Sequence, residues 1–242
     1  MVTIEDVARR AGLSVATVSR ALNGSPRVRP STAQRVLKAA EELSYSPNLS
    51  ARNLRKRESR VILVLAPNFS NPFYSSILTG IGDAANSEGY SVLICNTASK
   101  PEREVNYLKM LSEHRADGAI LLSMRKTNKA LCEYVKEGQL LLCCEYAPDI
   151  DFPSVSIDNY AAAFETVSYL ISLGHERIAM LSADNDYIST ALRRQGYEDA
   201  LRSVGIEVRD EYFRPADADY SYNSGLRAAE ELLSAKERPT AV

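Results

Sequence analysis

The chain has 242 residues, 45% of them apolar and 25% charged, which leaves room for one large domain or two to three small ones with a sizeable core and excludes disordered, collagen-like and coiled-coil readings. No run approaches the roughly 20 apolar residues of a membrane span, and the N-terminus carries no basic stretch leading into an apolar one, so a cytoplasmic protein without a membrane partner is expected. The net charge of −2 hides an asymmetry: residues 1–60 carry a net +7 and residues 61–242 a net −9, so a small basic head and an acidic body face different partners. A basic module of this size suits a polyanionic phosphate backbone, although charge by itself equally allows a solvated basic surface.

The head reads as helices. Thr3 can cap a first helix with Asp6 three residues on, and Ile4, Val7, Ala8 and Ala11 recur on one face until Gly12 stops it. Ser14 caps a second helix that ends at Asn23-Gly24, so two short helices meet across a glycine-containing turn, a helix-turn-helix. Val15 fits two readings there. It completes the inward spacing Val15, Val18, Leu22, and with Ala16 and Arg20 it also lies on the side away from Val18 and Leu22. A third helix, roughly Ser31 to Leu43, turns Val36, Leu37, Ala40 and Leu43 inward, with Tyr45 closing the core. Pro47 then allows a short helix, Asn48–Leu54, followed at once by Arg55-Lys56-Arg57. It is too short to hold in water unaided and is expected to fold when something packs on it.

From Arg60 the pattern becomes apolar runs alternating with amphipathic helices. Val61–Ala66, Ser91–Cys95, Gly118–Leu122 and Leu140–Cys144 read as buried strands, separated by helices near Tyr74–Glu88, Glu102–His114 and Asn128–Glu137. Repeated βαβ units predict an α/β body, a parallel sheet with helices on both faces. Val155–Ile157 leads into a helix at Tyr160–Ser172, and a second cycle follows with a strand at Arg177–Ser182, a helix at Thr190–Val204, a strand near Tyr212 and a helix at Ser221–Ser234. Pro239–Val242 reads as a strand just starting, so a truncated protein with an incomplete second lobe is expected. The expected divisions are 1–46 for the helical headpiece, 47–59 for the hinge and linker, 60–158 for the first lobe, and 159–242 for the crossover and partial second lobe.

The segment Thr3–Ala8 continuing through Gly12–Asn23 resembles the headpiece of the lactose-repressor (LacI/GalR) family of transcriptional regulators. The likeness continues through Leu43–Asn48, Asn71-Pro72-Phe73-Tyr74 and Gly174–Ala179, essentially the whole chain. Glu145–Pro148 and Val155–Phe164 look like the cytidine-repressor branch of that family. The resemblance implies a helix-turn-helix headpiece on a periplasmic-binding-protein-like body, a homodimer on a pseudo-palindromic double-stranded DNA operator, and a small effector, a nucleoside such as cytidine in that branch.

The residue chemistry of the head agrees with that implication. Val15 and Ala16 can touch thymine methyls, and Arg20 offers the fork that matches guanine O6 and N7 in the major groove. Ser14, Thr17, Ser19 and Asn23 supply short polar groups of the kind that fix register on phosphates. Where relatives often carry serine before the third helix, this chain has Arg29. Leu54, apolar among Arg52, Asn53, Arg55, Lys56 and Arg57, makes sense as a wedge that pries open a base step from the minor groove, the role the family implies, with Arg55 on the DNA beside it. The plainer reading tucks Leu54 against the body.

In an open α/β sheet, ligands collect at the carboxyl ends of the strands. Phe73 and Tyr74 follow the first strand, Ser123 the third, Glu145 the fourth, and Arg193 opens a helix in the second lobe. Carried over from the family, these five line the effector cleft, each with a plain alternative as a core aromatic or a surface ion pair. Asp158 and Asn159 are expected to organise the crossover, and His175 to be structural. The four cysteines, Cys95, Cys132, Cys143 and Cys144, sit in apolar stretches and read as buried and reduced. No glycine-rich phosphate loop, nucleophile elbow or metal spacing is present, so neither an enzyme nor a cofactor is expected. The competing class is a solute-binding protein, which the body fits and the basic head opposes.

Overall fold

The computed structural model describes residues 2–46, 58–69, 71–124, 129–146, 151–218 and 220–242. The chain divides into two units, Met1–Arg57 and Glu58–Val242. The hinge helix expected at Asn48–Leu54, with Leu54 and Arg55, lies outside the described residues. Among the described residues no helix is long and apolar enough to cross a membrane.

The first unit is built from three helices, α1 (Ile4–Ala11), α2 (Val15–Leu22) and α3 (Pro30–Glu42). Thr3 and Asp6 cap α1 reciprocally, the Thr3 side chain accepting from the Asp6 amide and Asp6 Oδ2 from the Thr3 amide at 3.0 Å. The backbone bond from Thr3 and then its hydroxyl hold the Asp6 carboxyl below its usual value. Gly12 closes the helix in the left-handed region, φ 62°, which a residue with a Cβ enters at a cost. Thr3→Ala is therefore expected to destabilise this unit by about 1 kcal/mol, read from its denaturation midpoint.

Val7, Ala8, Ala11, Val18, Ala21, Val36, Ala39 and Ala40 form the core between these helices, flanked by Leu22, Leu43 and Tyr45. One expected core position is corrected and the two readings of another are decided. Leu37 is 56% exposed, because 36, 39, 40 and 43 make the i, i+3, i+4, i+7 stripe and 37 stands about 100° off it. Val15 is 41% exposed, because Val18 and Ala21 set the buried direction of α2 and Val15 is roughly a quarter turn away. Arg29 occupies the N-cap of α3 with no side-chain bond, and Pro30 at the first helical position starts the helix instead.

The second unit opens with β1 (Val61–Ala66), α4 (Pro72–Ser87), β2 (Ser91–Asn96), α5 (Pro101–Ser112), β3 (Gly118–Leu121), β4 (Leu140–Cys143) and β5 (Ser154–Val155). The strands form one parallel sheet in the order β2-β1-β3-β4-β5. Strand alternation sends Leu63 and Leu65 to one face, against Leu108 and Leu111 of α5, and Val64 and Ala66 to the other, against Ile77 and Ile81 of α4. Asp117 ties the start of β1 to that of β3 by accepting from the Ser59 amide at 2.6 Å and the Arg60 amide at 2.9 Å.

The helix expected over Asn128–Glu137 is a single 3-10 turn, Lys129–Glu133, among the described residues. Leu131 fills the core, Tyr134 and Val135 pack against it, and the chain then turns at Gly138 into β4. The helix-like spacing of those apolar residues is thus met without a further turn.

After the five-stranded sheet the unit continues with α6 (Asn159–Ser172), β6 (Met180–Ala183), α7 (Ile188–Ser203), β7 (Phe213–Ala216) and α8 (Tyr222–Leu233). β6 and β7 pair in parallel, and Ile178 bridges Ala241, also in parallel. His175 Nδ1 meets Thr240 Oγ1 at 3.0 Å beside that bridge. Tyr212 stands in a 3-10 turn before β7 rather than in the strand. The two helices α6 and α7 meet at Gly196, where a Cβ would fall 2.4 Å from the Tyr160 carbonyl.

The expectation of four buried cysteines needs correction. All four are free, but only Cys95 is buried; Cys132 is exposed and Cys143 and Cys144 are half-buried. Cys144 leaves the strand because its backbone turns into the left-handed region, φ 73°.

Candidate functional site

In the first unit α2 presents an unburied face. Ser14 caps the helix, its Oγ accepting from the Thr17 amide at 3.2 Å and meeting Thr17 Oγ1 at 2.9 Å. Asn23 Nδ2 donates to the Ser19 carbonyl at 2.6 Å at the other end. Between these ends Val15, Ala16 and Arg20 are exposed, and Ala16 and Arg20, four residues apart, stand one above the other. Thr17 and Ser19 are half-buried at the edge of this face. The Arg20 guanidinium has no hydrogen bond or ion pair among the described residues, whereas Arg9 and Arg10 on α1 are paired with Asp6 and Glu42. A capped helix thus holds a planar cation, unpaired among the described residues, beside two small apolar side chains, a combination with the chemistry to contact base edges.

In the second unit the carboxyl ends of the strands meet the second lobe across a cleft. Glu145, 5% exposed after β4, reaches the start of α7: both Ser189 groups donate to it, the amide to Oε2 at 3.1 Å and the hydroxyl to Oε1. Burial raises the Glu145 carboxyl above its usual value, opposed by the two Ser189 bonds and by nearby Arg193. A carboxylate from the end of β4 therefore caps the N-terminus of α7, where the helix dipole favours negative charge.

Arg193 does not open α7, as expected from sequence, but sits in its second turn. It donates from Nε to Asn159 Oδ1 at 2.8 Å, and Asn159, 2% exposed, donates in turn to the Ile157 carbonyl. Asp158 caps α6 by accepting from the Ala161 amide at 2.9 Å. Tyr74 is mostly buried, its hydroxyl pushed up by burial and then by Tyr187, Cys144, Glu145 and Tyr220 around it. Phe73 lies edge-on to Tyr74 and is 53% exposed.

The structure thus gathers Tyr74, Glu145 and Arg193 into one neighbourhood. Ser123 is 1% exposed after β3, and its Oγ has no partner among the described residues. A cavity of about 550 Å³ opens at the ends of β1, β2 and β7, lined by Pro67, Asn68, Asn96, Lys100 and Asp217 and by none of the five expected effector residues, whereas Arg193 lines another, of about 450 Å³, with Val167, Ile178 and Tyr197.

Sequence reasoning missed half of the cleft. Thr190 Oγ1 meets both Asn185 Oδ1, at 2.7 Å, and the Tyr220 hydroxyl, while Asn185 Nδ2 donates to the Ala218 carbonyl at 3.3 Å. These residues sit in loops and a helix start with no periodicity to mark them. The nearest available signal was position, since the loop after β6 is again a strand's carboxyl end. The cleft combines a buried carboxylate, a guanidinium, several hydroxyls and aromatic rings, a set suited to a small polar molecule with ring and hydroxyl groups.

Comparison with known proteins matches residues 59–242 to the family model described as periplasmic binding proteins and sugar binding domain of LacI family, and residues 3–48 to bacterial regulatory proteins, lacI family. Catabolite control protein A of Priestia megaterium is 38% identical over 243 aligned positions, covering 100% of this chain and 73% of that protein. The HTH-type transcriptional repressor CytR of Escherichia coli K12 is 38% identical over 241, covering 99% of this chain and 70% of that protein. Among solved structures, the lac repressor dimer bound to operator and the anti-inducer ONPF superposes with a TM-score of 0.85 at 26% identity, covering 99% of this chain and 72% of that one. These relatives are transcriptional regulators.

Proposed function

Because the chain belongs to the LacI family of bacterial regulatory proteins, we propose that it is a cytoplasmic, sequence-specific DNA-binding repressor whose operator affinity is set by a small effector held in the body. The observation that carries the DNA reading is the unpaired Arg20 beside exposed Val15 and Ala16 on a capped helix. In this reading residues 1–46 are the headpiece, Ser14, Thr17, Ser19 and Asn23 set register on phosphates, and Val15, Ala16 and Arg20 read bases. Leu54 and Arg55, in the 47–59 hinge, take the minor-groove role that the family likeness implies. One headpiece covers only a half-site, so the protein acts as a homodimer on a pseudo-palindromic operator. A salt titration on random duplex tests the electrostatic part: the logarithm of affinity falls with the logarithm of salt at a slope of about −0.9 per neutralised phosphate. A flat titration would leave a solute-binding protein as the better reading.

The effector reading places a nucleoside such as cytidine among Phe73, Tyr74, Ser123, Glu145 and Arg193. Tyr74 supplies a ring face, Ser123 Oγ an unused polar atom, and Glu145 and Arg193 anchor hydroxyl or ring polar groups. A ligand that favours one lobe arrangement changes DNA affinity by the same factor by which DNA changes its own. Calorimetry with cytidine is expected to show binding that Arg193→Ala abolishes. Binding undiminished by that change would remove Arg193 from the site.

A further inference from the structure

Cys143 and Cys144 are adjacent in sequence, with their sulfurs 3.8 Å apart and in mutual hydrogen-bond contact. Both are half-buried, at the end of β4. Cys143 packs against Val64, Ala66 and Leu122 on the α4 face of the sheet, and Cys144 lies near Glu145 and Arg193. Cys144 also holds a left-handed backbone, φ 73°, which a residue with a Cβ adopts only when its surroundings impose it, and such outliers gather at functional sites. The hydrogen bond between the two sulfurs holds the Cys143 thiol below the ordinary thiol range, while the same bond and burial push Cys144 up. By contrast burial raises Cys95, and Cys132 is exposed with no thiol beside it among the described residues.

We propose that Cys143 and Cys144 are a redox modification site, a vicinal dithiol that a hydroperoxide closes to a disulfide, and that closure releases the Glu145 clasp on the start of α7. The Cys143 thiolate attacks one peroxide oxygen and the O–O bond breaks, giving a sulfenic acid and an alkoxide that takes up a proton to leave as alcohol. The Cys144 sulfur then attacks the sulfenic sulfur, the S–O bond breaks, and hydroxide leaves as water with the Cys144 proton. Two thiols and one hydroperoxide give one disulfide, one alcohol and one water, with two electrons passing from sulfur to oxygen.

The bridge must span two Cα atoms one trans peptide apart, about 3.8 Å, short of the usual range of about 4.4–6.8 Å. It therefore needs a change of backbone at Cys144, and the residue displaced with it is Glu145, whose carboxylate holds the Ser189 amide. A bridge strained in this way is readily reduced, which makes the modification reversible.

The test treats the full chain carrying Cys132→Ser with hydrogen peroxide, blocks free thiols with N-ethylmaleimide and reads the 143–144 peptide by mass spectrometry. The expected peptide carries neither adduct, is lighter by two hydrogens, and regains both adducts after dithiothreitol. Cys144→Ser is expected to trap a dimedone-reactive sulfenic acid on Cys143, and Cys143→Ser to leave Cys144 unoxidised. Two labelled thiols after peroxide, or sulfinic acid on Cys143 without a disulfide, would overturn the site. Hydrogen exchange reads the clasp: oxidation is expected to speed exchange at the Ser189 amide by about tenfold or more, reversed by dithiothreitol and absent in Cys143→Ser. Unchanged exchange in a protein whose disulfide has formed would overturn the coupling to Glu145.

Discussion

Replacing Arg20 with alanine is expected to weaken binding to a cognate operator by about 1–3 kcal/mol, and to weaken binding to random duplex by much less. The asymmetry follows from geometry. Arg20 stands one turn above Ala16 on a helix fixed at both ends, by Ser14 at the start and Asn23 at the finish, and its guanidinium is unpaired among the described residues. No side-chain hydrogen bond or ion pair among the described residues is lost when it is truncated, so the change reports chiefly on DNA. A bidentate base contact is lost only where the right base stands opposite it, whereas a phosphate contact is lost everywhere. Fluorescence anisotropy against both duplexes at two salt concentrations separates the cases. Equal losses, with the salt slope reduced by about one, would make Arg20 a phosphate contact.

How much of this was legible without coordinates depends on whether a residue's role is written in local periodicity. The caps at Thr3 and Ser14, the stop at Gly12 and the alternation of β1 all follow from neighbours a few residues away, and the structure has them. Leu37 is misplaced from sequence and Val15 has two readings there because short helices carry apolar residues next to their stripe, and only packing against the neighbouring helices decides which direction is inward. The helix expected over Asn128–Glu137 shrinks to the 129–133 turn for a related reason: Leu131, Tyr134 and Val135 have helical spacing, but the core needs only one turn to receive them.

The cleft was legible by half. Glu145 and Arg193 stand at topologically marked places, but their partners, Ser189 and Asn159, lie 44 and 34 residues away in sequence. Pairings of that range are set by how the second lobe closes, which no local pattern records. The cysteines illustrate the same limit, since their apolar neighbourhood suggests four buried thiols whereas the chain turns left-handed at Cys144 and leaves two adjacent ones half-buried, their sulfurs 3.8 Å apart.

Gly196→Ala is expected to be the most damaging single-methyl change in the body. The added Cβ would fall 2.4 Å from the Tyr160 carbonyl oxygen, 3.0 Å from the Phe164 amide nitrogen and 3.1 Å from Ala163 Cβ. Two of these are backbone atoms of α6, so no side chain can swing aside and the helix itself must shift. Overpacking of this kind costs about 1–3 kcal/mol and sometimes more, at about 2–4 °C of melting temperature per kcal/mol in a domain of 150–250 residues. Gly225→Ala is the control, because it too lies inside a helix, α8, but meets nothing within 4 Å, so there the loss of unfolded-state freedom should stabilise by about 0.4–1 kcal/mol. The damage should also reach the cleft. Asn159 is the first residue of α6 and holds Arg193, less than one turn before Gly196 on α7, so a displaced α6 carries away the acceptor that orients the guanidinium. Gly196→Ala should therefore melt early and, below its melting temperature, lose ligand affinity along with Arg193→Ala, while Gly225→Ala keeps both. Equal melting temperatures for the two glycine variants would mean that α6 and α7 separate freely and that the Asn159–Arg193 bond does not depend on their close approach.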